Sequence, residues 1–302
     1  MANERLGFIG LGVMGAPMAG HLAKAGRMLT VFDLNGDAAR RLAAPYNNVA
    51  VAESPRAVAA SSDVVLTMLP SGREVRAVAL GDDGLLQGLK PGGLLLDTSS
   101  SEPWFTREVA SRLAEAGIAM VDAPVSGAEA GAKAADLVFM IGGASEDVAR
   151  VKPILSLLGK RHFHLGPVGS GHVMKSINNL VTAVTLMATT EGMIAGAKLG
   201  LDPAAMNDVL DVSTGGSWVG NTQFRRHIFT GRYDDQFKAA LMMKDINIAA
   251  RIFDDAAFEG PVSAAARRVW SAIQQDLPAD SSLSEIVRAV ETESGVALRP
   301  KS

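Results

Sequence analysis

Leu6-Gly7-Phe8-Ile9-Gly10-Leu11-Gly12-Val13-Met14-Gly15 is the stretch from which the fold is read. A short apolar run ends in Gly10-Leu11-Gly12-Val13-Met14-Gly15, which fits G-x-G-x-x-G, and Pro17–Leu22 continues with apolar residues at helical spacing. Strand, glycine-rich turn and helix in that order form a dinucleotide-binding fingerprint. The glycines allow a tight turn, a close approach of backbone to a pyrophosphate, and close packing of helix on strand. Free N–H groups and the dipole at the helix start attract the phosphates. Gly10, Leu11, Gly12, Val13, Met14 and Gly15 are therefore candidate cofactor contacts. No Walker lysine follows the loop, which argues against phosphoryl transfer.

The next apolar run, Met28–Phe32, ends in Asp33. A carboxylate about 20 residues beyond the loop is placed to accept from a ribose 2′-OH, and it repels a 2′-phosphate. Asp33, Leu34 and Asn35 thus favour NAD. NADP stays open, because Arg40 and Arg41 follow on the same segment.

Further apolar runs fall at Val64–Met68, Leu94–Asp97, Met120–Asp122, Leu137–Ile141 and His162–Leu165. Helical patterns such as Pro103–Ala116 and Asp147–Leu158 lie between them, so a largely parallel sheet covered on both faces is expected. After Gly166-Pro167-Val168-Gly169 the character changes. Long helical patterns run to about Gln275, broken at Gly200–Pro203, Ser213–Gly220 and Gly260-Pro261, and a last helical pattern spans Leu283–Val290. The expected fold is an α/β Rossmann-type N-terminal domain, residues 1–167, followed by an all-α C-terminal domain, residues 168–302, for substrate binding and dimerisation. A continuous helix should lead from one into the other.

Composition narrows the function. The 302 residues are 48% hydrophobic and 20% charged, which excludes a disordered chain. A net charge of −3 offers no basic excess for nucleic acid or an anionic membrane surface. The absence of cysteine excludes disulfides, thiolate metal sites and a cysteine nucleophile. None of the five histidines stands at metal-ligand spacing with a carboxylate, so no metal is expected. Val173–Leu199 is apolar but carries Lys175, Asn178, Asn179, Glu191 and Lys198, which reads as a buried helix rather than a membrane span. Leu6–Ile9 is too short for the core of a signal peptide, so a cytoplasmic protein is expected.

Two more glycine sites carry chemistry. Gly169-Ser170-Gly171 leads into a helix with Lys175 in an early turn, and Asn179 shares its face four residues on. Positive potential at a helix start lowers a lysine pKa, which suits proton exchange near neutral pH. A surface lysine with a polar neighbour is the plainer reading of Lys-x-x-x-Asn alone; the flanking glycines and the domain boundary favour a catalytic one. Asp122-Ala123-Pro124-Val125-Ser126-Gly127 follows a strand, and its Ser-Gly turn offers a hydroxyl and N–H groups to a substrate carboxylate.

Together these segments resemble the β-hydroxyacid dehydrogenases, the group of 3-hydroxyisobutyrate dehydrogenase and tartronate semialdehyde reductase, over roughly residues 5–295. Gly7–Ala19 is similar to that family's dinucleotide signature, Asp122–Gly127 to its D-A-P-V-S-G loop, Gly169–Asn179 to its G-x-G-x-x-x-K-x-x-N-N helix, and Leu241–Asp245 to its L-M-x-K-D segment. The resemblance implies hydride transfer between nicotinamide and a small 3-hydroxy acid of the 3-hydroxyisobutyrate type or a related semialdehyde. It implies that Lys175 is the general acid/base, that Asn179 holds the substrate, and that Ser126 and Gly127 bind its carboxylate. Lys244 would approach the cofactor and the substrate, with Asp245 supporting it. Met68, Leu69 and Pro70 would lie along the adenosine, and Ser100 beside the nicotinamide ribose, where the family usually has Thr. Ala128 replaces a common Gly.

Several features stay open at this level. Trp218, in the Gly-rich segment Ser213–Trp218, either walls the substrate pocket or plugs a gap between helices. Phe237 is a similar case, and His172, three residues before Lys175, either lines the site or packs the loop, with packing the plainer reading. Gly192, Gly196 and Gly200 permit close helix packing, internally or between subunits, and a homodimer or homotetramer is the expected assembly. A four-carbon sugar-acid dehydrogenase and a semialdehyde reductase are the near alternatives, and a catalytically silent NAD-binding module is the distant one. Retention of Lys175, Asn179 and Ser126 argues against the last.

Overall fold

The apolar runs become strands and the periodic segments become helices, in a computed structural model that describes residues 4–300. The strands are β1 (Leu6–Ile9), β2 (Leu29–Phe32), β3 (Val49–Val51), β4 (Val64–Thr67), β5 (Leu94–Asp97), β6 (Ala119–Asp122), β7 (Val125–Ser126), β8 (Leu137–Gly142) and β9 (Gly159–Gly166). Helices α1 (Gly15–Lys24), α2 (Gly36–Ala43), α3 (Pro55–Ala60), α4 (Gly72–Leu80), α5 (Pro103–Ala114), α6 (Ala128–Ala134) and α7 (Ser145–Leu155) alternate with them. The second half holds α8 (Ser170–Lys198), α9 (Pro203–Val212), a π-helix (Val219–Ile228), α10 (Ala239–Asp255), α11 (Pro261–Gln275) and α12 (Glu285–Ser294).

The chain divides into two units, Met1–Lys175 and Ser176–Ser302. In the first, the sheet runs β3-β2-β1-β4-β5-β6-β8-β7, with β9 on β8. All pairings from β3 to β6 are parallel, in register Leu6↔Leu29 and Leu6↔Val64 at the centre. The strand order reverses between β1 and β4, which is the switch point where doubly wound sheets bind ligands. Strands β1, β4 and β5 are buried along their whole length, as a sheet covered on both faces requires. One layer of the core gathers Phe8, Met18, Leu22 and Leu66, and the other Ile9, Val65, Leu95 and Val109.

Two sheet features were not expected. β8 runs antiparallel to β6 and β7, so the sheet is mixed at that edge. β3 and β7 are only three and two residues long, too short for periodicity to register. In the helical unit, α8 is by length and composition able to cross a membrane. Its Leu180, Ala183, Leu186, Met187, Met193 and Ile194 are instead buried in the core of that unit, where Trp270 Nε1 donates to the Ala183 carbonyl at 3.2 Å. Of the small-residue stripe, only Gly196 is packed: a Cβ there would lie 2.2 Å from Met206 Sδ, whereas Gly192 and Gly200 face open space.

Candidate active site

The loop after β1 is shaped by three glycines with three different reasons. Gly10 has φ +95°, and a Cβ there would lie 2.3 Å from the Met68 carbonyl oxygen. At Gly15 a Cβ would sit 1.8 Å from the Gly10 carbonyl oxygen, so only glycine lets α1 close onto the turn. At Gly12 a Cβ would meet nothing within 4 Å. Internal packing therefore requires Gly10 and Gly15 but not Gly12. The amides of Gly12, Val13 and Met14 find no acceptor among the described residues. Open space beside unpaired amides at a helix start is a cradle for an anion, and it fits a dinucleotide pyrophosphate.

Asp33 directly follows β2 and is tied to that cradle. Leu11 N–H donates to its Oδ2 at 2.6 Å, and Asn35 N–H to its Oδ1 at 2.7 Å. The carboxylate is thus fixed at the loop while each oxygen keeps a lone pair for a ribose hydroxyl. Leu34 is almost fully exposed, and Asn35 caps α2 by accepting from Asp37 N–H. Arg40 is engaged by Asp37 at 2.5 Å. After β4, Met68 and Leu69 are half-buried and Pro70 is exposed, and Leu69 N–H donates to Ser99 Oγ at 2.9 Å. Ser100 follows directly, half-buried. The loops after β1, β2, β4 and β5 thus share the carboxyl edge of the sheet.

The β6 loop and the start of α8 belong to the same edge. Ser126 ends β7 half-buried, and Gly127 is exposed with φ +131°. Ala128 takes φ +51°, a left-handed conformation that explains why glycine is common at its place in the resembling family. Asp122, fully buried at the end of β6, accepts from the Gly169 amide at 2.7 Å and the His172 amide at 2.9 Å. It thereby satisfies two of the unpaired donors at the start of α8. Burial pushes the Asp122 carboxyl above the ordinary carboxylate range, opposed by His172 and by the two amides. Lys175 stands one turn further along the helix so anchored, half-buried.

In the helical unit, Asn179 is buried and its Nδ2 donates to Asp245 Oδ2 at 2.5 Å. Asp245 is buried too, with Oδ1 at 3.4 Å from Lys244 Nζ. Asp245 therefore joins the two segments read as functional, and it orients Asn179 as well as supporting Lys244. Trp218 caps the π-helix and leaves 56% of its surface exposed, so it plugs no gap in that unit. Phe237 does pack on the helical core.

The geometry agrees with the comparisons with known proteins. The family model for the NAD binding domain of 6-phosphogluconate dehydrogenase matches residues 5–166. The model for the NAD-binding region of NADP-dependent 3-hydroxyisobutyrate dehydrogenase matches residues 169–290. An NAD-dependent L-serine dehydrogenase of Pseudomonas aeruginosa is 35% identical over 298 residues, covering 97% of this chain and 99% of that protein. The chain belongs to the β-hydroxyacid dehydrogenase family. A 3-hydroxyisobutyrate dehydrogenase of the same bacterium is 37% identical over 272 residues, covering 88% of this chain and 91% of that one. Among solved structures, a Mycobacterium tuberculosis 3-hydroxyisobutyrate dehydrogenase with L-serine superposes with a TM-score of 0.87 at 33% identity, covering 95% of this chain and 99% of that one. Like its relatives, this β-hydroxyacid dehydrogenase is an NAD(P)-linked oxidoreductase of hydroxy acids, acting on a CH–OH group.

What sequence reading missed in this dehydrogenase is the layer behind the site. Asp122, Thr106 and His172 are buried and joined by hydrogen bonds, and the buried Asp97 lies 3.6 Å from His172 Nε2, although these residues are not neighbours in the chain. Asp97 accepts from Thr67 Oγ1 at 2.9 Å, Ser99 N–H at 3.0 Å and Ser101 Oγ at 2.8 Å. The only sequence signal was a polar residue at the end of each of three apolar strands.

Proposed function

We propose that the chain oxidises a small 3-hydroxy acid of the 3-hydroxyisobutyrate type, or reduces the matching semialdehyde, with Lys175 as general acid/base. The observation that carries this reading is the start of α8. Asp122 pins its first amides, Lys175 follows one turn on, and Asn179, held by Asp245, shares the lysine's helix face.

When bound, the nicotinamide supplies the hydride acceptor or donor. Gly10–Gly15 would hold its pyrophosphate and Asp33 its adenosine ribose, which favours NAD. Leu34, Asn35, Met68, Leu69 and Pro70 would flank the adenosine side, and Ser100 the nicotinamide ribose. Ser126 and Gly127 bind the substrate carboxylate, and Asn179 holds the reacting end. In oxidation, Lys175 Nζ takes the hydroxyl proton as hydride leaves the carbinol carbon. In reduction, it returns that proton to the forming alkoxide. Both are general acid–base steps by a positioned amine. Trp218 is proposed as a wall of the substrate pocket, with Lys244 and Asp245 serving substrate and cofactor.

The proposed division of labour has residues 1–167 holding the dinucleotide and contributing Ser126 and Gly127, and residues 168–302 supplying the other substrate contacts and a subunit interface. Exposed Val181, Leu199, Val209 and Val212 support a homodimer or homotetramer. An enzyme without nucleic-acid or membrane partners is proposed on the near-neutral charge, and a cytoplasmic location is proposed beside it.

The test is a panel of small hydroxy acids assayed by NADH absorbance, with NAD and NADP run separately. Lys175→Ala should abolish turnover while NADH still binds. Normal turnover in that variant would overturn the assignment of the base. A higher kcat/KM with NADP would overturn the reading of Asp33.

A further inference from the structure

His172 lies on the first turn of α8, three residues before Lys175, and is fully buried. Its Nε2 faces the Ser99 carbonyl oxygen at 3.1 Å and must donate there, since a carbonyl only accepts. Its Nδ1 lies 2.8 Å from Thr106 Oγ1, so each ring nitrogen has a hydrogen-bond partner. The Thr106 hydroxyl also reaches the Glu102 carbonyl oxygen at 3.2 Å. Asp97 and Asp122 flank the ring, each with an oxygen 3.6 Å from a ring nitrogen. Close approach is built in at Gly171, where a Cβ would lie 2.8 Å from Asp122 Oδ2 and 2.3 Å from the Met140 carbonyl oxygen. The chemistry proposed above assigns no role to His172, Thr106 or Asp97. So large a buried polar investment beneath one helical turn exceeds what packing requires, because buried polar groups are tolerated only when satisfied.

We propose that His172 is a positioning residue for Lys175, acting through its two ring hydrogen bonds. They tie the first turn of α8 to the segment after β5 at Ser99 and to α5 at Thr106, while Asp122 ties the same turn to β6. Together they set the rotation of the helix that carries the lysine. Side chains reach about 5–6 Å from a helix axis, so a 10° rotation moves Lys175 by about 1 Å. A misplacement of that size costs about 100-fold in rate. The inference rests on the reading of Lys175 as the acid/base.

Two substitutions separate hydrogen bonding from volume and from charge. His172→Gln keeps a donor for Ser99 and a second polar atom facing Thr106 at similar reach. His172→Leu fills comparable space with neither. In His172→Leu, kcat should fall about 100-fold, while the NADH Kd from fluorescence titration and the KM stay near wild type. In His172→Gln, most of kcat should return. Wild-type kcat in His172→Leu would show space filling and overturn the proposal. A His172→Gln variant as slow as His172→Leu would show that ring charge matters, and would also overturn it. If His172→Leu does not fold, Thr106→Val removes one of the two bonds at constant shape. Assayed well below its Tm, this variant should show a lower kcat, and an unchanged kcat would refute the proposal. Lys175→Ala run beside these variants keeps the two readings apart. If it loses turnover while His172→Leu does not, only the positioning role fails; if it turns over normally, the acid/base reading fails first.

Discussion

Gly12 and Gly15 stand three residues apart in one loop, yet the structure predicts opposite consequences for the same substitution. In Gly15→Ala the new methyl would lie 1.8 Å from the backbone oxygen of Gly10, which cannot swing aside as a side chain could. Overpacking of that kind costs about 1–3 kcal/mol or more. At about 2–4 °C per kcal/mol, Tm should fall by roughly 2–12 °C. In Gly12→Ala the methyl meets nothing within 4 Å, so stability should stay within about 0.5 kcal/mol of wild type. Its cost appears only with cofactor present. The methyl occupies the space where the backbone must approach the pyrophosphate, and displaces it from one unpaired amide. A hydrogen bond to a charged group contributes about 1.5–3 kcal/mol, so NADH affinity should drop roughly 10- to 100-fold. Thermal unfolding followed by circular dichroism, and NADH titration by fluorescence, measure the two quantities on the same samples. Wild-type NADH affinity in Gly12→Ala would refute the placement of the pyrophosphate. A Gly12→Ala variant as unstable as Gly15→Ala would refute the packing account.

Three further outcomes are expected. Asp33→Ser should raise the KM for NAD and shift the NADP-to-NAD ratio of kcat/KM upward, since it removes both the ribose acceptor and the charge that repels a 2′-phosphate; an unchanged ratio counts against it. Ala128→Gly should raise Tm slightly, because relief of a left-handed alanine, about 1–2 kcal/mol, exceeds the added chain entropy of glycine, about 0.5–1 kcal/mol; a lower Tm contradicts this. Burial and the hydrogen bond to Glu291 push the Tyr233 phenol up from 10.0 to about 12. A raised pKa adds stability that is complete below pH 10 and is lost as pH rises through about 12. Urea unfolding between these limits should therefore show a steeper loss for wild type than for Tyr233→Phe, and parallel curves would exclude the phenol as the cause.

Much of the fold was readable because its signals are local. Leu6–Ile9, Leu94–Asp97 and the helix opening at Pro103 follow from apolar runs and breakers within a dozen residues. The mixed edge at β8 was not, because strand direction depends on pairing partners distant in the chain. The π-helix at Val219–Ile228 was hidden behind a glycine-rich stretch that reads as a break. Candidate site residues divide in the same way. Gly10–Gly15 and Asp33 announce themselves by spacing, and Lys175 and Asn179 by the glycines before them and the family resemblance. His172 did not, since nothing near it in the chain reveals Thr106, Ser99 and two carboxylates around one ring.

The amino-acid sequence by itself determined the alternation of long apolar strands with helices, the dinucleotide turn and which side chains are candidates for the chemistry, because each rests on residue type and short spacing. Tertiary structure decided which glycines the fold needs and which it leaves for a ligand, and that Asp122 completes the start of α8 from another strand. It also decided that Asp245 orients Asn179 across 66 residues of chain. The physical reason is common to all three. Steric exclusion and hydrogen-bond satisfaction depend on which backbone passes within a few ångströms, and only the folded chain specifies that.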